Sequence, residues 1–433
     1  MPGYLDPGFD TLALHAGTSP DPTTGARAVP IHLSTSFVFE SSEQAASLFN
    51  LERAGHVYSR ISNPTNAVLE QRISALEGGI GAIATASGQA ALHLAVATLL
   101  DAGSHIVASS AIYGGSHNLL HYTLRRFGIE TTFVAPGDLD AWRAALRPNT
   151  RLLFGETVGN PGLDVLDIAA VADIAHSAGV PLLVDSTLTS PWLIKPFEHG
   201  ADLIYHSATK FLSGHGTVVG GLVVDGGSFD WEASGRFPQL SQPYAGFHNM
   251  VFTEESTVGA FLLRARREGL RDFGACMSPH TAWLILQGME TLPLRMARHM
   301  SNTEKVVEFL QAHPLVSRVG HPMLPEHPSH ALAQRLLPRG AGSVFSFDLK
   351  GSRKQGAAFV DALKVFSHLA NVGDCRSLVI HPASTTHFRM DDAALAGAGI
   401  GQGTIRLSIG LEDPADLIED LKRALKAAEK AGA

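Results

Sequence analysis

Apolar and polar positions alternate with two different periods through residues 80–224. Seven short apolar runs predict strands, at 80–85, 106–108, 130–134, 151–155, 180–184, 203–205 and 218–224. Apolar positions at helical spacing lie between the earlier strands, at 88–100, 116–127, 139–146 and 168–178. Short buried strands that alternate with helices are typical of βαβ units. The pattern therefore predicts an α/β fold with a mostly parallel seven-stranded sheet and helices on both faces.

The segments before this region have a different pattern. Residues 1–60 carry many Pro, Ser, Thr and Gly residues and little periodicity, which predicts an extended N-terminal arm. The sheet domain is expected over 61–275. It opens with a helix that Thr65 or Asn66 can cap and that Gly78 ends.

A long segment and a change of pattern follow the last strand of the sheet. The insertion at about 226–275 contains glycines and aromatics and exceeds an ordinary connection, so it is either functional or packed on a neighbour. From 276 to 433 the pattern predicts a smaller α+β domain. Its predicted helices are at 281–289, 303–311 and 414–428, and its predicted strands are at 342–349, 377–380 and 404–409.

Composition narrows the class of protein. The 433 residues are 45% hydrophobic, so a large core is available. Thirty-three basic residues against 41 acidic ones give a net charge of −8, which argues against a nucleic-acid partner. The two cysteines, Cys276 and Cys375, are too few for a disulfide framework, and a cytoplasmic location is expected. Without a basic, apolar leader or an apolar run of about 18 residues, neither a signal peptide nor a membrane span is expected.

Histidines are abundant but do not indicate a metal. His321, His327 and His330 lie in a proline-rich segment with the composition of a loop. Their spacing matches no known ligand pattern, so no metal site is predicted.

Polar residues follow several predicted strands, and ligands bind at the carboxyl ends of strands in such sheets. Ser87, Gly88 and Gln89 come after the first strand and open a helix, whose free N–H groups suit a phosphate. Tyr113, followed by two glycines, can lie flat on a ring. Asp185 follows the fifth strand, where a carboxylate can pair with a pyridinium nitrogen and keep it protonated. An ordinary turn, a turn tyrosine and a helix cap are the alternatives.

Lys210 is the most unusual of these residues. Only 17% of the chain is charged, and this lysine follows a strand among Ser207, Thr209 and glycines. A lysine partly removed from water becomes a usable amine that forms Schiff bases with carbonyl compounds. The alternative is a surface lysine with its ammonium in water. A phosphate cradle, a stacking aromatic, an acid and an amine together meet the needs of pyridoxal phosphate.

Competing cofactor motifs are missing. No G-x-G-x-x-G follows the first strand, no Gly-Lys dipeptide supports a P-loop, and no G-x-S-x-G elbow occurs. A nucleotide-binding or regulatory α/β protein with no covalent cofactor stays as an alternative of another class.

In the second domain, Arg406 lies on the polar side of an alternating strand. It can clamp a substrate carboxylate in a bidentate pair, or it can be solvated or salt-bridged.

The order of these motifs resembles the trans-sulfuration (Cys/Met-metabolism) family of pyridoxal-phosphate enzymes over nearly the whole chain. The motifs are Tyr58-Ser59-Arg60, Ser87-Gly88, Tyr113-Gly114-Gly115, Gly159-Asn160-Pro161, Val184-Asp185-Ser186-Thr187, Ser207-Ala208-Thr209-Lys210 and Ile405-Arg406-Leu407-Ser408. The resemblance implies the aspartate-aminotransferase-like (type I) fold, pyridoxal 5'-phosphate on Lys210, and a small amino-acid substrate. It also implies a homotetramer of tight dimers.

Further residue roles come only from this resemblance. Tyr58 and Arg60 are expected to complete the neighbouring subunit's site at the cofactor phosphate, with Tyr58 also near substrate. Asn160 is expected near the cofactor's phenolic oxygen and the substrate, and Thr187 beside the cofactor. Ser377 is expected with Arg406 at the substrate carboxylate.

Within the family, several features are similar to members that use sulfide to replace the acetate of O-acetylhomoserine. These are the insertion after Gly227, the segment 367–378 and Arg376, where cystathionine-type members usually carry an acidic residue. Gly115 stands where methionine γ-lyases usually carry cysteine. Ser186 and Leu188 depart from the common pattern, and they bear on substrate fit. Cystathionine γ-synthase or γ-lyase chemistry stays as the in-family alternative.

The expected reaction is a γ-replacement that gives L-homocysteine, or methionine if methanethiol replaces sulfide. Lys210 would be the general base at the substrate Cα. Asp185 would keep the cofactor ring nitrogen protonated, and Tyr113 would be the second acid/base. The sequence does not choose between an acetyl and a succinyl ester.

Overall fold

The computed structural model describes residues 6–50, 52–159, 162–385, 388–389 and 400–432. The large sheet consists of β1 (Gly81–Thr85), β2 (His105–Ser109), β3 (Glu130–Val134), β4 (Thr150–Glu156), β5 (Leu182–Asp185), β6 (Leu203–Ser207) and β7 (Gly221–Asp225). Its strand order is β1-β7-β6-β5-β4-β2-β3. Only β7 runs antiparallel to its neighbours, β1 and β6. The predicted mostly parallel seven-stranded sheet is therefore confirmed.

Helices cover this sheet, and two more lie within the N-terminal segment. They are α1 (Phe9–His15), α2 (Ser42–Phe49), α3 (Pro64–Glu77), α4 (Gly88–Leu99), α5 (Gly114–Asn118), α6 (Leu139–Ala144), α7 (Ile168–Ser177) and α8 (Ser190–Leu193), with a 3₁₀ turn at Pro196–His199. The helix α1 of the N-terminal segment packs against α3 of the sheet domain. The residues that precede the sheet are thus partly helical rather than extended throughout.

Two predicted helices need correction. The cap of α3 is Asn63, whose side chain accepts the N–H of Thr65 at 2.9 Å, rather than Thr65 or Asn66. The helix begins early because Pro64 is already fixed in a helical φ and needs no N–H acceptor. The predicted single helix over 116–127 is instead α5, a π turn at Leu119–Thr123 and a 3₁₀ turn at Leu124–Phe127. Hydrophobic spacing does not register such changes of hydrogen-bond pattern.

The insertion after β7 packs on its own sheet. It forms α9 (Trp231–Ser234), α10 (Pro238–Ser241), a 3₁₀ turn (Ala245–Phe247), α11 (Phe252–Glu255), α12 (Ala260–Arg264), a π turn (Ala265–Leu270) and α13 (Arg271–Phe273). Trp231, Phe237 and Phe261 are buried in the same hydrophobic cluster as Leu92 of α4 and Phe154 of β4. The insertion therefore completes one layer of the core.

The C-terminal part builds a second sheet with the order β10-β11-β12-β9-β8. Its strands are β8 (Val316–Gly320), β9 (Val344–Leu349), β10 (Ser367–His368), β11 (Leu378–Ile380) and β12 (Thr404–Ser408). Its helices are α14 (Pro279–Glu290), α15 (Leu292–Gln311), α16 (His330–Leu336), α17 (Arg353–Ala362) and α18 (Pro414–Gly432), with a 3₁₀ turn at Pro382–Ser384. None of the described helices has the length and apolar character that a bilayer crossing requires.

Sequence patterns missed two of these strands and shortened one helix. β8 escaped because exposed Ser317 and Arg318 separate buried Val316 from buried Val319. β10 has only two residues. The helix predicted at 303–311 begins at Leu292. The domain boundaries at 60 and 275 stay predictions.

Candidate active site

A cavity of about 330 Å³ lies where the strand ends of the large sheet meet the second sheet. Its wall contains most of the predicted site residues, namely Ser87, Gly88, Gln89, Tyr113, Asp185, Thr187, Ser207, Thr209, Lys210 and Arg406. The structure thus brings together side chains that are up to about three hundred positions apart in sequence. A volume of this order is typical of a small-molecule or cofactor site.

The start of α4 forms one end of the cavity. The Ser87 hydroxyl caps the helix by accepting the N–H of Ala90 at 3.1 Å. The first N–H groups of a helix have no acceptor within it, so Gly88 and Gln89 present donors and a positive helix end. A Cβ on Gly88 would lie 2.7 Å from the Cβ of Ser207, so only glycine lets this turn approach β6 so closely. This end of the cavity suits a phosphate.

Lys210 follows β6 and reaches into the cavity. Its Nζ donates a hydrogen bond to the side-chain oxygen of Asn371, in the loop between β10 and β11. Burial lowers the pKa of Lys210, and the positive charge of Arg406 lowers it further. Both effects favour the neutral amine, which is the form that attacks a carbonyl or accepts a proton.

Asp185 ends β5 and is buried on the cavity floor. Its Oδ1 accepts the backbone N–H of Thr187 at 2.9 Å. Burial raises the pKa of Asp185, while hydrogen bonds from the side chains of Thr187 and Tyr205 oppose that rise. A buried carboxyl in this position can hold a proton between itself and a ring nitrogen.

Arg406 on β12 also lines the cavity. No carboxylate of the described chain forms an ion pair with it. Burial lowers the pKa of Arg406, and the nearby Tyr113 opposes this change. A buried guanidinium whose fork is not used by a protein carboxylate can bind the carboxylate of a small molecule.

Ser377 is not brought to the cavity. Its hydroxyl donates to Glu412 at 2.9 Å and accepts the N–H of Gly410 at 2.8 Å, and it is fully buried there. These contacts join the loop before β11 to the segment after β12, which is a structural use of the side chain. Asn160 lies outside the described residues.

Tyr58 and Arg60 also lie away from the cavity wall of this chain. The Arg60 guanidinium carbon is 5.3 Å from the centre of the Tyr58 ring, and Tyr58 is 41% exposed. The two side chains thus face outward together. Their reach into a neighbouring subunit stays a prediction.

Three polar cavity residues were missed by sequence reasoning: Glu156, Tyr205 and Asn371. Glu156 directly follows a predicted strand, which is the signal that singled out Asp185, so it could have been found. Tyr205 has the apolar character of its strand and gives no separate signal. Asn371 lies in a polar segment without periodicity, and only the tertiary fold brings it to Lys210.

The three histidines for which no metal site was predicted lie next to backbone carbonyl groups. Ring nitrogens of His321, His327 and His330 lie 3.1, 3.3 and 3.2 Å from the backbone carbonyls of Gly342, Gly162 and Pro322. Across the residues that the structure describes, no group of His, Cys, Asp and Glu side chains is placed to hold a metal ion.

The side chains of the cavity wall are chemically suited to pyridoxal phosphate. The helix start at Gly88 receives an anion, Tyr113 offers an aromatic face, Asp185 offers a buried carboxyl, and Lys210 offers a partly buried amine. The close approach of Gly88 to Ser207 forms a cradle that a side chain would fill. Gly88, Ser207 and Lys210 are the residues that would hold the phosphate and aldehyde ends.

Comparisons with known proteins agree with this geometry. Residues 10–426 match the family model described as Cys/Met metabolism PLP-dependent enzyme. The chain is 49% identical to O-acetyl-L-homoserine sulfhydrylase of Leptospira meyeri, over 98% of each chain. It is 46% identical to homocysteine synthase of Schizosaccharomyces pombe, over 97% of this chain and 98% of the relative.

A solved structure is similar over the same span. It is a Campylobacter jejuni protein named as a candidate O-acetylhomoserine (thiol)-lyase, and it contains a pyridoxyl-lysine phosphate. The TM-score is 0.93 at 38% identity, covering 97% of this chain and 100% of the other. These matches set aside the alternative of a nucleotide-binding protein without a covalent cofactor. The chain belongs to the pyridoxal-phosphate-dependent enzymes of cysteine and methionine metabolism and has their aspartate-aminotransferase-like (type I) fold.

Proposed function

We propose that this protein catalyses γ-replacement on O-acetyl-L-homoserine, in which sulfide displaces acetate and L-homocysteine is formed. The observation that carries the proposal is the convergence of Lys210, Asp185 and Arg406 on one cavity. Such a set binds an amino acid by its carboxylate and supplies an amine and an acid for its chemistry. Relatives named O-acetyl-L-homoserine sulfhydrylase match the chain over nearly its whole length.

Bound pyridoxal phosphate would supply an aldehyde that reacts with Lys210, and a ring that stabilises the negative charge left on the substrate's Cα. The chain's own residues supply the rest. Arg406 binds the substrate carboxylate and so fixes which Cα hydrogen faces Lys210. Burial and the charge of Arg406 lower the pKa of Lys210, which favours the neutral amine that accepts the Cα proton. Asn371 accepts a hydrogen bond from Nζ and orients the amine.

Two further side chains hold protons in this proposal. Asp185 keeps a proton at the cofactor's ring nitrogen, and its burial keeps water from competing for that contact. Tyr113 is the second acid/base, at the substrate's side chain. Val158, Leu188 and Val219 give the cavity an apolar wall, which suits the short carbon chain of the substrate.

The assembly belongs to the same proposal. We infer a homotetramer of tight dimers in which Tyr58 and Arg60 complete the neighbouring subunit's site. The outward position of this pair supports the inference, as does Val38, which is 99% exposed in the same arm. A cytoplasmic location is supported by the two free cysteines, Cys276 and Cys375.

Competition between nucleophiles tests the reaction. The purified holo-protein receives O-acetyl-L-homoserine with equal concentrations of sulfide and cysteine, and products are separated by chromatography. Homocysteine should predominate. Cystathionine as the main product would replace the proposal with cystathionine γ-synthase chemistry, and 2-oxobutanoate as the main product would indicate γ-lyase chemistry. Repeating the assay with O-succinyl-L-homoserine tests the choice of ester, and acetyl should be preferred.

A further inference from the structure

Three titratable side chains lie side by side on β4, β5 and β6. Glu156 is in register with Asp185, and Asp185 is in register with Tyr205. All three line the cavity. Neighbouring strands are about 4.8 Å apart, so two carboxyl groups share one buried wall.

Glu156 contacts the main chain of Tyr113. Its Oε1 accepts the Tyr113 backbone N–H at 2.5 Å, and Glu156 itself is buried. Tyr113 precedes α5 and makes no side-chain cap of its own, and the residue is 53% exposed. The Glu156 hydrogen bond therefore fixes the backbone from which the Tyr113 ring projects over the cavity.

The neighbouring carboxyl groups cannot both ionise without cost, because like charges at this distance repel in a buried site. Asp185 receives the Thr187 N–H and hydrogen bonds from the side chains of Thr187 and Tyr205, which stabilise an anion. Glu156 receives one backbone N–H. Burial raises the pKa of Glu156, and the charge of Asp185 raises it further.

The other charged groups at this cavity do not reverse that preference. Lys210 and Arg406 line the same cavity, but Lys210 is hydrogen-bonded to Asn371. Neither cation forms an ion pair with Glu156 among the described residues. When Asp185 and Glu156 carry one proton between them, Glu156 is therefore the favoured holder.

We propose that Glu156 is a positioning residue, a neutral carboxyl that holds the main chain of Tyr113 and leaves the cavity's negative charge on Asp185. This inference rests on the proposed function for the role of Tyr113 and Asp185. It does not depend on which thiol attacks.

Four holo-protein variants test it by spectroscopy and kinetics. The first readout is the pH midpoint of the visible absorbance of the bound cofactor, because a nearby anion favours the protonated form of the cofactor–lysine linkage. The second is the split between kcat and KM. The variants are Glu156→Gln, Glu156→Ala, Asp185→Asn and, as a matched buried glutamate off the cavity, Glu77→Gln.

Glu156→Gln keeps a neutral group and an acceptor oxygen, so its midpoint should equal that of the wild type and kcat should stay within about threefold. Glu156→Ala leaves the Tyr113 N–H unpaired, so kcat should fall about tenfold or more with the midpoint unchanged. Asp185→Asn should lower the midpoint by about one pH unit or more, and Glu77→Gln should change neither readout.

Two results would overturn the inference. A midpoint in Glu156→Gln that moves as in Asp185→Asn would place the charge on Glu156, and an unchanged kcat in Glu156→Ala would remove the positioning role. If Glu156→Ala does not fold, the Glu156→Gln midpoint still decides the charge. Failure of the proposed function is separate, since it would appear as a wild type that binds the cofactor but forms no homocysteine.

Discussion

The two faces of the large sheet carry two buried glutamates with different surroundings. Glu77, at the end of α3, lies 2.5 Å from the ring of His206. Glu156 lies on the other side of the sheet, 2.5 Å from the N–H of Tyr113. Burial raises the pKa of both. Glu156 lines the cavity beside Asp185, whereas Glu77 is paired with His206 in the core.

The difference shows which features of a buried acid indicate function. Burial and a raised pKa are common to both glutamates, so neither distinguishes a site from a core contact. The distinguishing feature is the cavity, whose wall contains Glu156 together with Asp185 and Lys210. β6 illustrates this within one strand, because His206 points to Glu77 while Tyr205 and Ser207 line the cavity.

The largest effect is expected from Lys210→Ala on the cavity face. Removing the amine should abolish turnover and the visible absorbance of the cofactor bound through Lys210. Absorbance spectra after incubation with pyridoxal phosphate, together with an assay of homocysteine, measure both. Lys195→Ala, which removes a lysine 3.9 Å from Glu198, is the control and should retain both signals. A coloured, active Lys210→Ala protein would contradict the assignment.

Arg406→Ala should chiefly weaken binding of the amino acid. Loss of a bidentate contact to the carboxylate should raise the KM for O-acetyl-L-homoserine about 100-fold. The KM for sulfide should change by less than about threefold, because sulfide has no carboxylate. Arg318→Ala breaks an ion pair with Asp348 in the same sheet and should leave both constants unchanged. Equal rises in both KM values would remove Arg406 from the carboxylate role.

Glu77→Ala should affect stability rather than binding. The substitution leaves the His206 ring unpaired in the core, which should lower the free energy of unfolding by about 2 kcal/mol. Urea unfolding of the holo-protein measures this loss, with KM as the second readout. A rise in KM without a loss of stability would mean that the two faces do not differ as described.

The smallest effect is a pH dependence at Asp225, at the end of β7. Burial raises the pKa of Asp225 to about 7, and one of its oxygens has no hydrogen-bond partner within the described chain. A raised pKa means that the protonated form is favoured in the folded state, so this stabilisation is full below the ordinary pKa of 3.8 and is lost as pH rises from there through about 7.

The Asp225 side chain accepts the N–H of Gly227 at 2.9 Å. The variant Asp225→Asn keeps this acceptor and stays neutral at every pH. Its Tm should exceed that of the wild type at about pH 5 and exceed it by about 2 °C or more beyond that gain at about pH 8. Asp140→Asn, on the surface, is the control. A gain of equal size at both pH values would rule out titration of Asp225 as its cause.

The sequence predicted the sheet and much of the cavity for one physical reason. Parallel strands buried on both faces are continuous apolar runs, and their ends meet at one edge, so Asp185 and Lys210 could be placed together without a structure. Gly88 was likewise signalled by its position at the opening of a helix.

The remainder depended on tertiary packing. Asn371 reaches Lys210 because the loop before β11 packs closely on the lysine, where a Cβ on Gly373 would lie 3.1 Å from the Cβ of Lys210. The aromatic insertion could not be assigned to a layer, since helices of four residues are too short to show a period. Ser377 was expected at the cavity because a family role was carried over, and its contact with Glu412 is invisible in sequence.

The most direct test is chemical labelling of the holo-protein. Reduction with borohydride, digestion and mass spectrometry should find one pyridoxyl-phosphate group per chain, on the peptide that contains Lys210. Lys195 and the other lysines should be unlabelled. A label on a different lysine, or stoichiometric cofactor binding without a label at Lys210, would contradict the account.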